Sequence, residues 1–343
     1  MGVLYIAGSS PGVGSTAVCA ALATTWKRAG QRVALFKPLE LPGETPGADA
    51  RLFSLISSSA STDTRTFGGG PLDPALGDSI AAQVAELARE ADVVLVEGLP
   101  LTDAQGSRVR ATEEVAHRIT QSVVEGKVVG VLPYAPELVA GAIAPWQAAF
   151  GDGLAGVLIN RCTRYAGYDA TDRLTPAIQE AGVRVLGTVP EDRAMLALTV
   201  RQVADHLSAE FFTWASEDQR LVEQFIIGGL ILEWGGNYFG RYPNQAVIVR
   251  GGRMDIAMSA LNFPMSCLVL TACSEPPQYV HQRADDQEVP LLVVRQGTLE
   301  AAAALETVHQ RASVHHMAKV DRLAGLLEGV VDWDAADAAA GLW

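Results

Sequence analysis

Residues Gly8–Thr16 read GSSPGVGST, directly after the apolar run VLYIA at 3–7 and before the helical pattern AVCAALATTWKRAG. Such a glycine-rich passage from strand to helix suits an anion for two physical reasons. Gly12 and Gly14 let backbone N–H groups converge on one point, and the amino end of a helix carries a partial positive charge. Gly8, Val13 and Ser15 complete the loop, and Thr16 is placed to offer its hydroxyl to Mg²⁺. Ser15 stands where the generic motif G-x-x-x-x-G-K-[ST] has its lysine. A serine brings no charge to the β- and γ-phosphates, nor to the charge that develops during phosphoryl transfer. The spacing also departs from the motif: counted back from Gly14, its first glycine falls on Ser9, and Gly8 comes one residue earlier. Two readings stay open: an anion or nucleotide site without turnover, and a strand-to-helix turn with no ligand.

The elements that would hold this loop are legible as alternating strands and helices up to about residue 210. Strand-like runs lie at 3–7, 32–36, 92–98, 127–132, 154–160 and 183–189. They are short, β-branched and apolar almost throughout, as strands buried on both faces must be. Helical patterns separate them, and the alternation predicts an α/β fold with a doubly wound parallel sheet. Residues 39–77, rich in Gly, Pro, Ser and Thr, read as one long loop leaving the carboxyl edge of a strand, where ligands of such sheets bind. Near 208–220 the pattern restarts. Strand-like runs at 225–232, 245–252, 266–273 and 290–297 predict a second, smaller α/β domain. The expected division is 1–212 and 213–343.

The bulk composition narrows the function. The 343 residues carry 49% hydrophobic and 19% charged residues, a globular profile long enough for two domains. A formal net charge of −13 argues against a nucleic-acid binder, which needs a basic patch to displace counterions. Cys19, Cys162, Cys267 and Cys273 show no CxxC spacing and read as reduced, buried thiols of a cytoplasmic protein. The N-terminus has no secretory pattern, and no apolar run reaches the ~18 residues of a membrane span. The six histidines show no metal spacing; His315 and His316 read as surface residues of a helix, and Thr199 as a cap.

The one-longer loop spacing and its Val13-Gly14 pair resemble the dethiobiotin synthetase group, whose loops read roughly G-T-x-T-x-V-G-K-T. Further segments carry the same resemblance: FKPL at 36–39, DVVLVEGLP at 92–100, GVLINR at 156–161 and VLGTVPEDRAMLALTVRQVADHL at 185–207. The resemblance implies a P-loop fold binding ATP or another adenine nucleotide with Mg²⁺. It implies that Lys37 points into the site, that Glu97 joins Thr16 at Mg²⁺, and that Asn160 reads adenine. Leu99-Pro100 depart from the small-residue run that the group has after its acid.

VIVRGGRMDIAMSAL at 247–261 resembles the core of the DRTGG domain, with Gly251, Gly252, Arg253 and Asp255 in its loop. That loop has two readings: an anion nest, or a tight turn in which Arg253 pairs with Asp255. The two domains together resemble the N-terminal regulatory half of long phosphate acetyltransferases, over roughly residues 3–336. The expectation is a stand-alone protein without the acetyltransferase catalytic domain. It is a non-catalytic regulatory or ligand-sensing protein, or a subunit modulating a separate phosphate acetyltransferase chain. An ATP-dependent ligase of the dethiobiotin synthetase type is the remaining alternative. The apolar smaller domain predicts a homo-oligomer formed through residues 220–343.

Overall fold

In a computed structural model the described residues are 2–342 apart from 58, 60, 123–125, 139 and 230–234. The chain forms two compact units, Met1–Asp192 with Val314–Trp343, and Arg193–Ser313.

The larger unit contains β1 (Gly2–Gly8), β2 (Val33–Phe36), β3 (Leu39–Glu40), β4 (Arg65–Thr66), β5 (Val93–Glu97), β6 (Gly126–Pro133), β7 (Leu154–Cys162) and β8 (Val185–Pro190). Six of them form one sheet in the order β2-β5-β1-β6-β7-β8, with every pairing parallel. All seven residues of β1 and all five of β5 are buried, which is why these segments are apolar without alternation. The chain leaves β1 toward β2 on one side and later fills β6 to β8 on the other. The order therefore switches at β1, and its carboxyl end opens the crevice from which loop 8–16 departs. The six expected strands are all present.

The helices of this unit before the second unit are α1 (Ser15–Arg28), α2 (Ala48–Ile56), α3 (Pro74–Glu90), α4 (Arg110–Ser122), α5 (Ala144–Phe150) and α6 (Thr175–Glu180). Residues 39–77 are not one loop. They contain the β3–β4 ribbon and α2, which buries Ala50, Leu52, Phe53 and Ile56. Apolar spacing inside a Gly- and Pro-rich stretch was enough to make that helix.

The smaller unit opens with β9 (Leu198–Thr199) and α7 (Val200–Leu207), capped reciprocally by Thr199 and Gln202. β10 (Glu210–Thr213), β11 (Leu221–Val222), β12 (Gln224–Ile227), β13 (Gln245–Arg250), β14 (Cys267–Thr271) and β15 (Leu291–Val293) follow. The main sheet runs β10-β15-β14-β13-β12, parallel except for the β10–β15 pair. Its helices are α8 (Gly235–Phe239), α9 (Met254–Ala260), α10 (Gln278–Asp286) and α11 (Thr298–Leu305). The expected strand at 225–232 is β12 as far as Ile227; residues 230–232 lie outside the described residues.

The expected division at 212/213 differs from the observed one at both ends. The stretch expected to hold the boundary, near 208–220, contains β10, an edge strand of the smaller sheet. Residues 314–342 return to the larger unit as α12 (Met317–Glu328) and α13 (Trp333–Ala339). Trp26 on α1 explains the return: its Nε1 donates to Asp337 Oδ1 at 2.7 Å, and its ring meets Trp333 edge-on at 6.2 Å. Arg28 pairs with Asp321 at 2.8 Å, and the Asp332 N–H donates to Leu186 O at 2.8 Å. No helix among the described residues is long and apolar enough to cross a membrane.

Candidate functional site

The base of loop 8–16 is pinned by its neighbours. The Ser9 N–H donates to Val131 O at 2.9 Å, and Gly8 O accepts from Leu101 N–H at 2.8 Å. Thr102 donates its N–H and its hydroxyl to Ser9 O at 3.1 and 2.9 Å. Gly12 (φ 74°) and Gly14 (φ 101°) take the left-handed conformation that only glycine adopts without strain. At Gly14 space decides as well, because a Cβ there would sit 2.5 Å from Asn160 Nδ2. Among the described residues, no backbone carbonyl accepts from the N–H groups of Gly12 through Ala17. The Val18 N–H makes the first bond, to Gly14 O, and no side chain caps α1. The loop therefore presents a run of open donors at a helix amino end, the arrangement that favours an anion.

Beside it lies a buried charge cluster. Thr16 donates its hydroxyl to Glu97 Oε1 at 2.8 Å. Lys37, at the end of β2, holds its ammonium 3.3 Å from that same oxygen, 2.5 Å from Asp49 Oδ2 and 2.9 Å from Glu44 Oε2. The side chains of Lys37 and Glu97 are each 5% exposed, so this is an interior ion cluster. Asp49 is delivered by α2, and its second oxygen meets His315 Nε2 at 2.7 Å. Burial dominates at Glu97 and pushes its carboxyl up to about 7, against the pull of Lys37. Burial alone would lower the Lys37 ammonium, but Glu97 and Asp49 outweigh it and hold it above its ordinary value. At Asp49 burial is overridden by the His315 hydrogen bond and by Lys37, so its carboxyl stays low. Glu97 Oε2 is buried and has no hydrogen-bond partner among the described residues.

The structure thus brings together Gly8, Gly12, Val13, Gly14, Ser15, Thr16, Lys37 and Glu97. Asn160 lies against the loop from the end of β7, but its amide is engaged within the chain. Nδ2 donates to Val13 O at 2.8 Å and Oδ1 accepts from Arg161 N–H at 2.9 Å. One N–H of Nδ2 and one lone pair of Oδ1 remain beyond these two bonds. Thr16 and Glu97 offer oxygen donors of the kind Mg²⁺ takes alongside phosphate and water. The unpartnered Oε2 fits that use, and no group of three His, Cys, Asp or Glu side chains among the described residues forms a metal site by itself.

Sequence reasoning missed Glu44, Asp49 and Arg161, and put His315 on a helix, although its reading as a surface residue agrees with its exposure. His315 and His316 precede α12 rather than sitting on a helix. His316 caps α12 through Ala318 N–H, and His315 belongs to the charge cluster. The apolar spacing of Ala50, Phe53 and Ile56 was the available signal for the helix that carries Asp49.

In the smaller unit Gly251 and Gly252 follow β13. A Cβ on Gly251 would lie 2.7 Å from Cys273 Cβ, so close approach demands glycine there. Arg253 donates to Asp255 from Nε to Oδ1 and Oδ2, at 3.0 and 3.3 Å, and from Nη2 to Oδ2 at 2.9 Å. The turn-and-pair reading describes this geometry. The four cysteines are free thiols, three buried and Cys273 half-buried.

Comparison with known proteins adds the lineage. The AAA domain family matches residues 3–197, and the DRTGG domain matches residues 202–308. A phosphate acetyltransferase of Pseudomonas putida is 25% identical over 92% of this chain and 48% of its own length. One from Pseudomonas aeruginosa is 24% identical over 97% of this chain and 51% of its own. The chain spans about half the length of these curated relatives. A solved structure of the CBS and DRTGG domains of the regulatory region of a Clostridium perfringens pyrophosphatase, complexed with the activator diadenosine tetraphosphate, aligns with a TM-score of 0.31. It is 14% identical over 57% of this chain and 78% of that one. With the parallel sheet, the glycine loop and the family match over 3–197 in agreement, this chain belongs to the AAA domain family of dethiobiotin-synthetase-like P-loop proteins, with a DRTGG domain joined to it.

Proposed function

We propose that this protein is a non-catalytic, ligand-sensing relative of phosphate acetyltransferase that binds a polyphosphate at loop 8–16 without turning it over. One observation carries the reading. Ser15 replaces the loop lysine, and the nearest buried substitute, Lys37, is committed to three carboxylates. A phosphate would have to compete with Glu44, Asp49 and Glu97 for that ammonium. The open N–H groups of Gly12 to Thr16 would hold the anion, and Thr16 with Glu97 would hold Mg²⁺. Mg²⁺ bound with a nucleotide would supply charge neutralisation for the phosphates there. The same commitment of Lys37 argues against a ligase of the dethiobiotin synthetase type. Calorimetric titration with ATP, ADP and AMP, with and without Mg²⁺, tests the reading. Binding without hydrolysis is expected, and turnover refutes it.

A second reading rests on the curated relatives, both phosphate acetyltransferases of about twice this length. The chain would modulate an acetyltransferase catalytic chain, and co-purification with such a chain is the deciding observation. Self-association through the smaller unit is part of either reading, and light scattering at micromolar concentration checks it.

A further inference from the structure

The charge that Ser15 does not bring has another source. Arg161 follows Asn160 near the end of β7, and its Nη2 donates to Gly12 O at 2.5 Å, so the guanidinium rests on the loop itself. Its backbone stands at φ 58°, a left-handed conformation that strains a non-glycine residue. It comes one residue after Asn160 within β7, and the Asn160 side chain bonds both the loop and the Arg161 N–H. Arg161 is exposed, and no carboxylate pairs with it among the described residues. Lys37 is the opposite case, buried and fully engaged. A guanidinium has five N–H donors in a planar fork suited to phosphate oxygens, and one bond to Gly12 leaves most of them open.

Two independent features mark this place as a ligand site and not merely a helix end: the glycine-built run of open N–H groups, and the unpartnered, buried Glu97 Oε2 beside the Thr16 hydroxyl. We infer that Arg161 supplies the cationic contact of the loop, taking the lysine's part toward a polyphosphate anion from the opposite wall of the crevice. The inference rests on the reading of loop 8–16 as an anion site. The ligand class is a di- or triphosphate, free or carried by a nucleoside, because a forked cation beside an N–H run matches several adjacent oxygens.

The test is calorimetric titration of the full chain with ATP and with inorganic triphosphate, each with Mg²⁺, at low and high salt. Three proteins are compared: the natural sequence, Arg161→Gln and Arg161→Lys. Arg161→Gln should weaken both ligands about tenfold or more, the loss expected for one charge-assisted contact. It should also flatten the salt dependence, because the screened charge has gone. Arg161→Lys should recover most of the affinity. Equal affinities for the natural protein and Arg161→Gln overturn the inference while leaving the anion site standing. Arg161→Lys binding as weakly as Arg161→Gln, with unchanged salt dependence, also overturns it, since the guanidinium would then only brace Gly12. A natural protein that binds neither ligand overturns the inference and the anion-site reading together.

Discussion

Replacing Glu97 by glutamine should make the larger unit more stable at pH 8 and change little at pH 4. Glu97 is 5% exposed, and burial is the largest influence on its carboxyl, lifting it from 4.5 to about 7. The sign follows from proton linkage. A carboxyl whose folded value is raised gives stability that is present in full below pH 4.5 and is lost as pH climbs through about 7. The gap, at 1.36 kcal/mol for each tenfold, amounts to about 3 kcal/mol at pH 8. Glutamine keeps the shape and an oxygen for the Thr16 hydroxyl, and it never ionises. It gives up the 3.3 Å pairing with Lys37, but that ammonium retains Asp49 at 2.5 Å and Glu44 at 2.9 Å. The relief of burying a charge should therefore outweigh the lost attraction. Scanning calorimetry between pH 4 and 8 is the assay, and the larger unit's transition should rise by roughly 6–12 °C at pH 8. A variant less stable than the natural protein at pH 8, or a natural protein whose stability is flat across that range, would refute the reasoning.

Ser15→Lys should tighten ATP binding tenfold to about a hundredfold in the presence of Mg²⁺, by restoring one charge-assisted contact. Failure of both the natural protein and Ser15→Lys to bind ATP would mean that the loop is only a turn. Lys37→Met should cost about 3–5 kcal/mol of stability near pH 8, because buried carboxylates lose their counter-charge. The cost should shrink below about pH 7, where Glu97 takes up a proton; urea unfolding at the two pH values measures both. Leu323→Ala, in the buried face of α12, should destabilise the larger unit by about 2–5 kcal/mol although it lies beyond the smaller unit in sequence. Calorimetry should show the smaller unit's transition unmoved.

How much of this was legible in the sequence follows from where the determining forces act. The six strands of the larger sheet were visible because most of their residues are buried, and burial writes itself into consecutive apolar residues. The loop was visible because φ values of 74° and 101° demand Gly12 and Gly14. Helix α2 was obscured by the Gly, Pro and Ser around it, and with it went Asp49. The Asp49–His315 contact joins residues 266 positions apart, and no local pattern encodes such a meeting. Arg161 was hidden differently. Its contact with Gly12 is made only by the fold, and the sequence there shows only one more arginine. Helix α12 is amphipathic, but amphipathicity does not say which unit a helix covers.

The return of α12 and α13 to the larger unit has a consequence for synthesis. Trp26 and its partner Asp337 are separated by 311 residues. A ribosome adding about 5–20 residues per second takes roughly 15–60 s to span that interval. Throughout that time the indole and the outer face of α1 have emerged without their native cover, while the smaller unit, made from one continuous stretch, has everything it needs to fold. The unit that begins first is thus completed last. Its nascent form is the natural client for chaperones that shield apolar helix faces, and a premature stop late in the message would injure the earliest-made unit.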